Sequence, residues 1–216
     1  GITLSSNDQL NLHTIDGFRQ LIDEPYDMGL IVSHHSISDI IAMGGTPKTA
    51  LAMVGISLNK QTLVKNDLRL ALRGILTGLK SHSVNLIGGH TNESESISLA
   101  LAIAGAAKKG EIIKKNTIQL GDRIILTQPI GTGVIFAGLM LGLTKGRWVE
   151  KVISEINREK IDLLKTIKEN TNACTDVTGF GLVGHLYEMT KNSSLGVNIN
   201  LHKILFFEGA EELSLK

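Results

Sequence analysis

Residues 11–45 read NLHTIDGFRQLIDEPYDMGLIVSHHSISDIIAMGG, and they set the fold class. Asn11 to Asp16 alternates Leu and Ile with polar residues, the period of a half-buried strand. From Tyr26 to Met43 the pattern changes: Tyr26, Leu30, Ile37 and Ile41 recur at near-helical spacing. Gly44-Gly45 follows, and glycine readily takes the left-handed conformation that closes many helices. A strand followed by a helix, repeated downstream, is the pattern of an α/β or α+β chain.

Working outward, Thr49 to Leu58 is an apolar run read as a buried strand. Val64, Leu68, Leu72, Ile75 and Leu79 mark an amphipathic helix. Val84 to Ile87 reads as a short strand ending in the turn Gly88-Gly89-His90-Thr91, and Ile97 to Ala107 as another strand. The basic, polar stretch from Lys108 to Gln119 is the expected boundary, so domains are expected over 1–113 and 114–216. Beyond it the pattern predicts a strand over Arg123–Thr127, the turn Gln128-Pro129-Ile130-Gly131-Thr132-Gly133, and a helix to about Leu143. Val149, Val152, Ile153, Ile156, Leu163, Leu164 and Ile167 predict one longer helix before Asn170. A loop at Thr175–Gly181, a short helix through Met189 and a closing strand over Asn198–Leu201 complete the expectation.

Composition narrows the function classes. The chain has 216 residues, 42% apolar and 20% charged, with a formal net charge of +1. That balance argues against a protein built around nucleic acid or a membrane surface. The longest apolar stretch, Ile124 to Leu143, is interrupted by Thr127, Gln128, Pro129 and several glycines, unlike the roughly 20 mostly apolar residues of a spanning helix. One cysteine, Cys174, forbids an internal disulfide and fits a reducing cytoplasm. Glycine is abundant, at 23 residues, and aromatics make up only 4%. Acids Asp8, Asp16, Asp23, Glu24, Asp27 and Asp39 stand against Arg19 alone in the first 47 residues, whereas bases predominate from Lys108 to Asn170. Cation ligands in the first third, with anion neutralisation beyond it, would use that asymmetry.

Three acids lie at the edges of predicted elements: Asp16, Asp39 and Asp176. Magnesium takes hard oxygen ligands and keeps several waters, so a few carboxylates with substrate phosphates suffice to hold it. Asp176 precedes Val-Thr-Gly-Phe-Gly, where backbone N–H groups and a helix N-terminus could face an anion. His34 and His35 are neighbours in a predicted helix, about 100° apart, and are not expected to chelate one ion. Cys174 reads as a small buried hydrophobe, with nothing beside it to lower its pKa.

Taken in order, Thr14-Ile15-Asp16-Gly17-Phe18, Asp23-Glu24-Pro25-Tyr26, Ser38-Asp39-Ile40-Ile41-Ala42-Met43-Gly44-Gly45, Gly88-Gly89-His90-Thr91, Leu126-Thr127 with Pro129-Ile130-Gly131-Thr132-Gly133, and Thr175-Asp176-Val177-Thr178-Gly179-Phe180-Gly181 resemble the selenophosphate synthetase (selenide, water dikinase) family. Gly184-His185-Leu186 and Glu188-Met189 extend the last block, and the resemblance runs from about residue 12 to residue 212. It implies the PurM-like two-domain architecture, with an N-terminal α/β domain whose sheet pairs with a second subunit and an incomplete α+β C-terminal domain. It also implies conversion of ATP, selenide and water to selenophosphate, AMP and orthophosphate. By the same resemblance Asp39 contacts magnesium and ATP, Asp176 binds magnesium, Asp16 contacts the nucleotide, and Gly89, His90 and Thr91 contact nucleotide across a homodimer.

The departures set further expectations. The family's glycine-rich N-terminal segment, with its reactive cysteine or selenocysteine and its lysine, has no counterpart here, so no catalytic residue is assigned. The chain is therefore expected to be a fragment cut at both ends and inactive alone. Leu30 replaces a usual arginine, His35 an asparagine and Gln128 a lysine. Two alternatives stand beside this reading. One is another PurM-like ATP-using enzyme, such as thiamine-phosphate kinase or aminoimidazole ribonucleotide synthetase. The other is a non-catalytic paralogue acting as a dimerisation or regulatory module.

Overall fold

The computed structural model describes residues 1–4, 8–158 and 161–216. It divides into two units: residues 1–112 with 156–169, and residues 113–155 with 170–216.

The first unit is built on one five-stranded sheet, β1 (Ile2–Leu4), β2 (Gln9–Arg19), β3 (Thr46–Ser57), β4 (Asn85–Ser94) and β5 (Ser98–Lys108), in the order β1-β2-β5-β3-β4. All neighbours are antiparallel except β3 and β4. That parallel pair is joined by α2 (Gln61–Ser81), the crossover that parallel strands require. The other long helix, α1 (Pro25–Ala42), follows β2. Its start is fixed by Pro25 at the first helical position and by the Glu24 carboxylate, which accepts from the Tyr26 N–H at 3.4 Å. Its end comes where expected, at Gly44 with φ +72°.

Helices α1 and α2 meet through glycines. A Cβ at Gly29 would collide with the Ala71 carbonyl oxygen, and one at Gly74 with the Tyr26 carbonyl oxygen. Close approach of the two backbones is what glycine supplies here. Ser33, buried between them, donates to the carbonyls of Gly29 (2.9 Å) and Ile75 (3.2 Å). Both helices contact the sheet, and Leu12, Leu99, Leu101, Ile103, Met28, Ile37, Ile40, Ile75 and Leu79 form a fully buried core. The other face of the sheet is open. Ile15 is 72% exposed, and Leu51, Met53 and Ile87 are also exposed.

In the second unit, α3 (Thr132–Met140), α4 (Gly146–Ile156), α6 (Gly181–Thr190) and α7 (Ala210–Ser214) are linked by long irregular segments; α5 (Ile161–Asn170) belongs largely to the first unit. Ile135, Phe136, Trp148, Val152, Phe207, Ala210 and Leu213 are buried. Gly209, at φ +88°, lies where a Cβ would strike the Trp148 indole.

Several expectations need correction. Arg123–Thr127 and Asn198–Leu201 form no strand; between residues 113 and 216 the described backbone makes only an isolated bridge, Ile130 to Phe206. An apolar run reports a tendency to be buried, whereas a strand also needs a hydrogen-bonded neighbour. Helix α3 stops at Met140 rather than Leu143, because Gly142 takes φ +69° and the Leu143 N–H returns to the Gly138 carbonyl at 2.8 Å. The single longer helix expected through Ile167 is two, with a break at Asn157–Arg158; its span also crosses residues 159–160, outside the described residues. Gly88-Gly89-His90-Thr91 is no turn. It lies inside β4, in register with Leu51, Ala52, Met53 and Val54. A Cβ at Gly89 would strike the Ala52 backbone, so the glycine serves close pairing rather than chain reversal.

Candidate functional site

In the first unit, β2 and α1 bring two carboxylates to one hydroxyl. Thr14 and Asp16, two residues apart on a strand, share a face, and α1 lays Asp39 over that face. The Thr14 hydroxyl donates to Asp39 Oδ2 in a short hydrogen bond and lies 3.5 Å from Asp16 Oδ2. His35 joins from the same helix, its Nε2 3.9 Å from Asp16 Oδ1 and its ring edge-on to Phe18 at 6.3 Å. Its neighbour His34 points elsewhere. It is buried, with Nδ1 3.3 Å from His82 Nε2. One step along the helix thus sends one imidazole into the core and the other to the carboxylates, as the 100° offset requires.

Strand register separates the remaining residues of this unit. The row Asp16–Leu101–Ala52–Gly89 belongs to the helix-covered face, and the row Gly17–Ala100–Met53–His90 to the open one. His90 is exposed on β4, an edge strand. A single sheet therefore does not bring His90 to Asp16 and Asp39.

In the second unit, Asp176 is half-buried and directly precedes the exposed residues 177–180 that lead to α6. Thr175 donates its hydroxyl to the Asp176 carbonyl at 3.2 Å. The Gly181 N–H bonds the Thr178 carbonyl at 2.9 Å, with Gly181 at φ +65°. The Thr178 N–H bonds His185 Nε2 at 3.1 Å. The N–H groups of Thr178 and Gly181 are therefore engaged within the protein, and no side chain caps the start of α6. Burial, and next the charge of Asp176, push the Cys174 thiol up. A thiol so held is a poor nucleophile, in keeping with a packing role.

Among the described residues, no group of three or more His, Cys, Asp or Glu side chains is placed to hold a metal by itself. The paired carboxylates of Asp16 and Asp39 nonetheless suit magnesium, whose shell is commonly completed by water and phosphate oxygens.

The pattern of the AIR synthase related protein N-terminal domain matches residues 2–107, and that of the corresponding C-terminal domain matches residues 119–215. The chain belongs to the AIR synthase related family. It is 37% identical over 200 residues to a selenide, water dikinase of Pelobacter propionicus, and the match covers 92% of this chain and 57% of that protein. A second selenide, water dikinase, from Caldanaerobacter subterraneus subsp. tengcongensis, is 35% identical over 206 residues, with 94% of this chain and 58% of that protein covered. The chain thus spans a little over half the length of these relatives. In fold it is similar to the thiamine monophosphate kinase of Aquifex aeolicus, with a TM-score of 0.82, 19% identity, and 100% and 74% of the two chains covered. The two-domain PurM-like architecture expected from the sequence is the fold of this AIR synthase related chain.

Two participants escaped the sequence reading. Thr14 stands out in the sequence only as part of a motif, and nothing local says that it bonds a helix residue 25 positions away. His35 stands where the family has asparagine, and its approach to Asp16 emerges only once α1 packs on β2. The period-2 face shared by Thr14 and Asp16 was the one available signal.

Proposed function

We propose that this chain carries the ATP- and magnesium-handling machinery of selenophosphate synthesis, in which ATP, selenide and water give selenophosphate, AMP and orthophosphate. The observation that carries the reading is the Thr14 hydroxyl set between the Asp16 and Asp39 carboxylates, in a chain whose curated relatives are selenide, water dikinases. Asp39 in the first unit and Asp176 in the second would each be a magnesium ligand, and Asp16 would contact the nucleotide. The ion would supply charge neutralisation along the polyphosphate, which positioning-dominated phosphoryl transfer needs. Thr14 ties the two acids of the first unit together, and His35 Nε2 lies 3.9 Å from Asp16 Oδ1.

Gly89, His90 and Thr91 fit the same reading as nucleotide contacts made by a second copy. The open sheet face carries Ile15, Leu51 and Met53 exposed, and a homodimer through that face would cover them. It would also present His90, which lies opposite the carboxylate face within one chain, to a shared site. A cytoplasmic setting accords with the lone cysteine, and among the described residues no helix is long and apolar enough to cross a membrane.

The test is an assay of the gene product for AMP formation from ATP with and without selenide. Selenide-dependent AMP is the expected result. ATP cleavage indifferent to selenide, or ADP as product with thiamine phosphate as acceptor, would overturn the reading.

A further inference from the structure

We propose that His185 is a positioning residue that holds the Asp176 loop in place through the main chain of Thr178; this rests on the reading of Asp176 as a magnesium ligand. His185 is 6% exposed, in the middle of α6. Its Nε2 lies 3.1 Å from the Thr178 backbone nitrogen and 3.3 Å from the Thr178 hydroxyl. A backbone N–H can only donate, so Nε2 is the bare nitrogen and the proton sits on Nδ1. That Nδ1 is buried without a hydrogen-bond partner among the described residues.

An orphaned buried N–H is costly, and a phenylalanine or leucine would fill the space without it. What an apolar residue cannot do is accept the Thr178 N–H. The imidazole therefore serves the loop at the expense of its own other nitrogen. The rest of the segment is arranged to match. The Thr178 carbonyl is taken by the Gly181 N–H, so both sides of this residue are clamped, two positions after Asp176. The Phe180 ring covers the imidazole at 5.7 Å, tilted by 52°. A Cβ at Gly184 would come within 2.8 Å of the Phe180 Cβ, so the glycine leaves room for that cover. Thr175 secures the Asp176 carbonyl itself. The carboxylate is thus presented from a backbone braced against α6, as the outer partners of metal ligands commonly brace them.

The experiment compares the parent chain with His185→Phe, His185→Gln and Asp176→Asn. It measures Mn2+ binding by electron paramagnetic resonance with a non-hydrolysable ATP analogue present, and exchange of the Thr178 amide by NMR. Gln can place its carbonyl oxygen near the position of Nε2 and should stay within about threefold of the parent in Mn2+ affinity. His185→Phe, which keeps the bulk and loses the acceptor, should bind Mn2+ at least about tenfold more weakly and lose protection at Thr178. Asp176→Asn should lose more still. His185→Phe binding like the parent while Asp176→Asn fails would overturn the positioning role and leave the Asp176 reading intact. Asp176→Asn binding like the parent would overturn that reading and this role with it. Should His185→Phe fail to fold, an unprotected Thr178 amide in the parent, or His185→Gln no better than one-tenth of parental affinity, would still refute the proposal.

Discussion

The two units of this chain order their backbones by different means. In the first, strands β2, β5 and β3 run through 11, 11 and 12 residues; β5 and β3 are paired along both edges, and β2 is paired along its whole length with β5. In the second, long stretches such as 113–129 and 195–200 carry neither helix nor strand. Position there depends on separate clasps: Thr117 to the Asn172 carbonyl (2.6 Å), Asn172 to Asp122 (2.7 Å), Lys115 to Glu188 (2.8 Å). A carboxylate carried by the sheet inherits its place from many bonds at once. One carried by a loop depends on the few side chains that happen to reach it.

The largest expected effect probes the sheet side of that contrast. Leu101 is fully buried between β2, β3 and the helices, and Leu101→Ala should remove about 3 kcal/mol of stability. Leu120 in the second unit is 90% exposed, and Leu120→Ala should cost below about 0.5 kcal/mol. Chemical denaturation reads both, and comparable losses would break the contrast. Next comes the open face. Met53→Asp places a charge in its middle and should turn the proposed dimer into a monomer at micromolar concentration, seen by analytical ultracentrifugation. A parent chain already monomeric would remove the shared-site idea.

Thr14→Val tests the paired acids. It keeps the shape and deletes the hydroxyl, and should weaken Mg2+-dependent binding of an ATP analogue by about five- to tenfold, with a stability loss near 1 kcal/mol. Unchanged titration calorimetry would mean that the two carboxylates need no common donor. The smallest effect concerns Cys174. Because the folded chain holds the thiol proton to higher pH than the unfolded chain does, stability should fall as pH rises past the ordinary thiol range near 8.5. Iodoacetamide should correspondingly alkylate Cys174 several-fold more slowly than a cysteine peptide at pH 8.5. Equal rates would contradict the raised pKa.

The same contrast explains which features were legible in the sequence. Helix α2 follows from periodicity because it buries one stripe; α1, buried over most of its surface, is marked instead by Pro25 at its start and by the Gly44 stop, a conformation that other residues rarely take. Strands β3 and β5 announce themselves as apolar runs. Strand β1 is too short, at three residues, to impose a pattern. The Gly88-Gly89 pair misled because a glycine that permits close strand pairing looks, in sequence, like one that permits a turn. In the second unit the apolar stretch Ile124-Ile125-Leu126 has strand composition yet no neighbouring strand, and Ile125 is 81% exposed. The ordered motifs single out Asp16, Asp39 and Asp176. Thr14 and His35 approach Asp39 and Asp16 across elements, where local pattern is silent.

The glycine contact between α1 and α2 has a consequence at a distance. Gly29 and Asp39 are ten residues apart on one helix, or about 15 Å along its axis. A side chain forced in at Gly29 would tilt a stiff rod against α2, and Asp39 would swing at the far end of the lever. Alignment of the carboxylate is thus set partly where no chemistry occurs. A screen for functional residues confined to the neighbourhood of Asp39 would never sample the pivot.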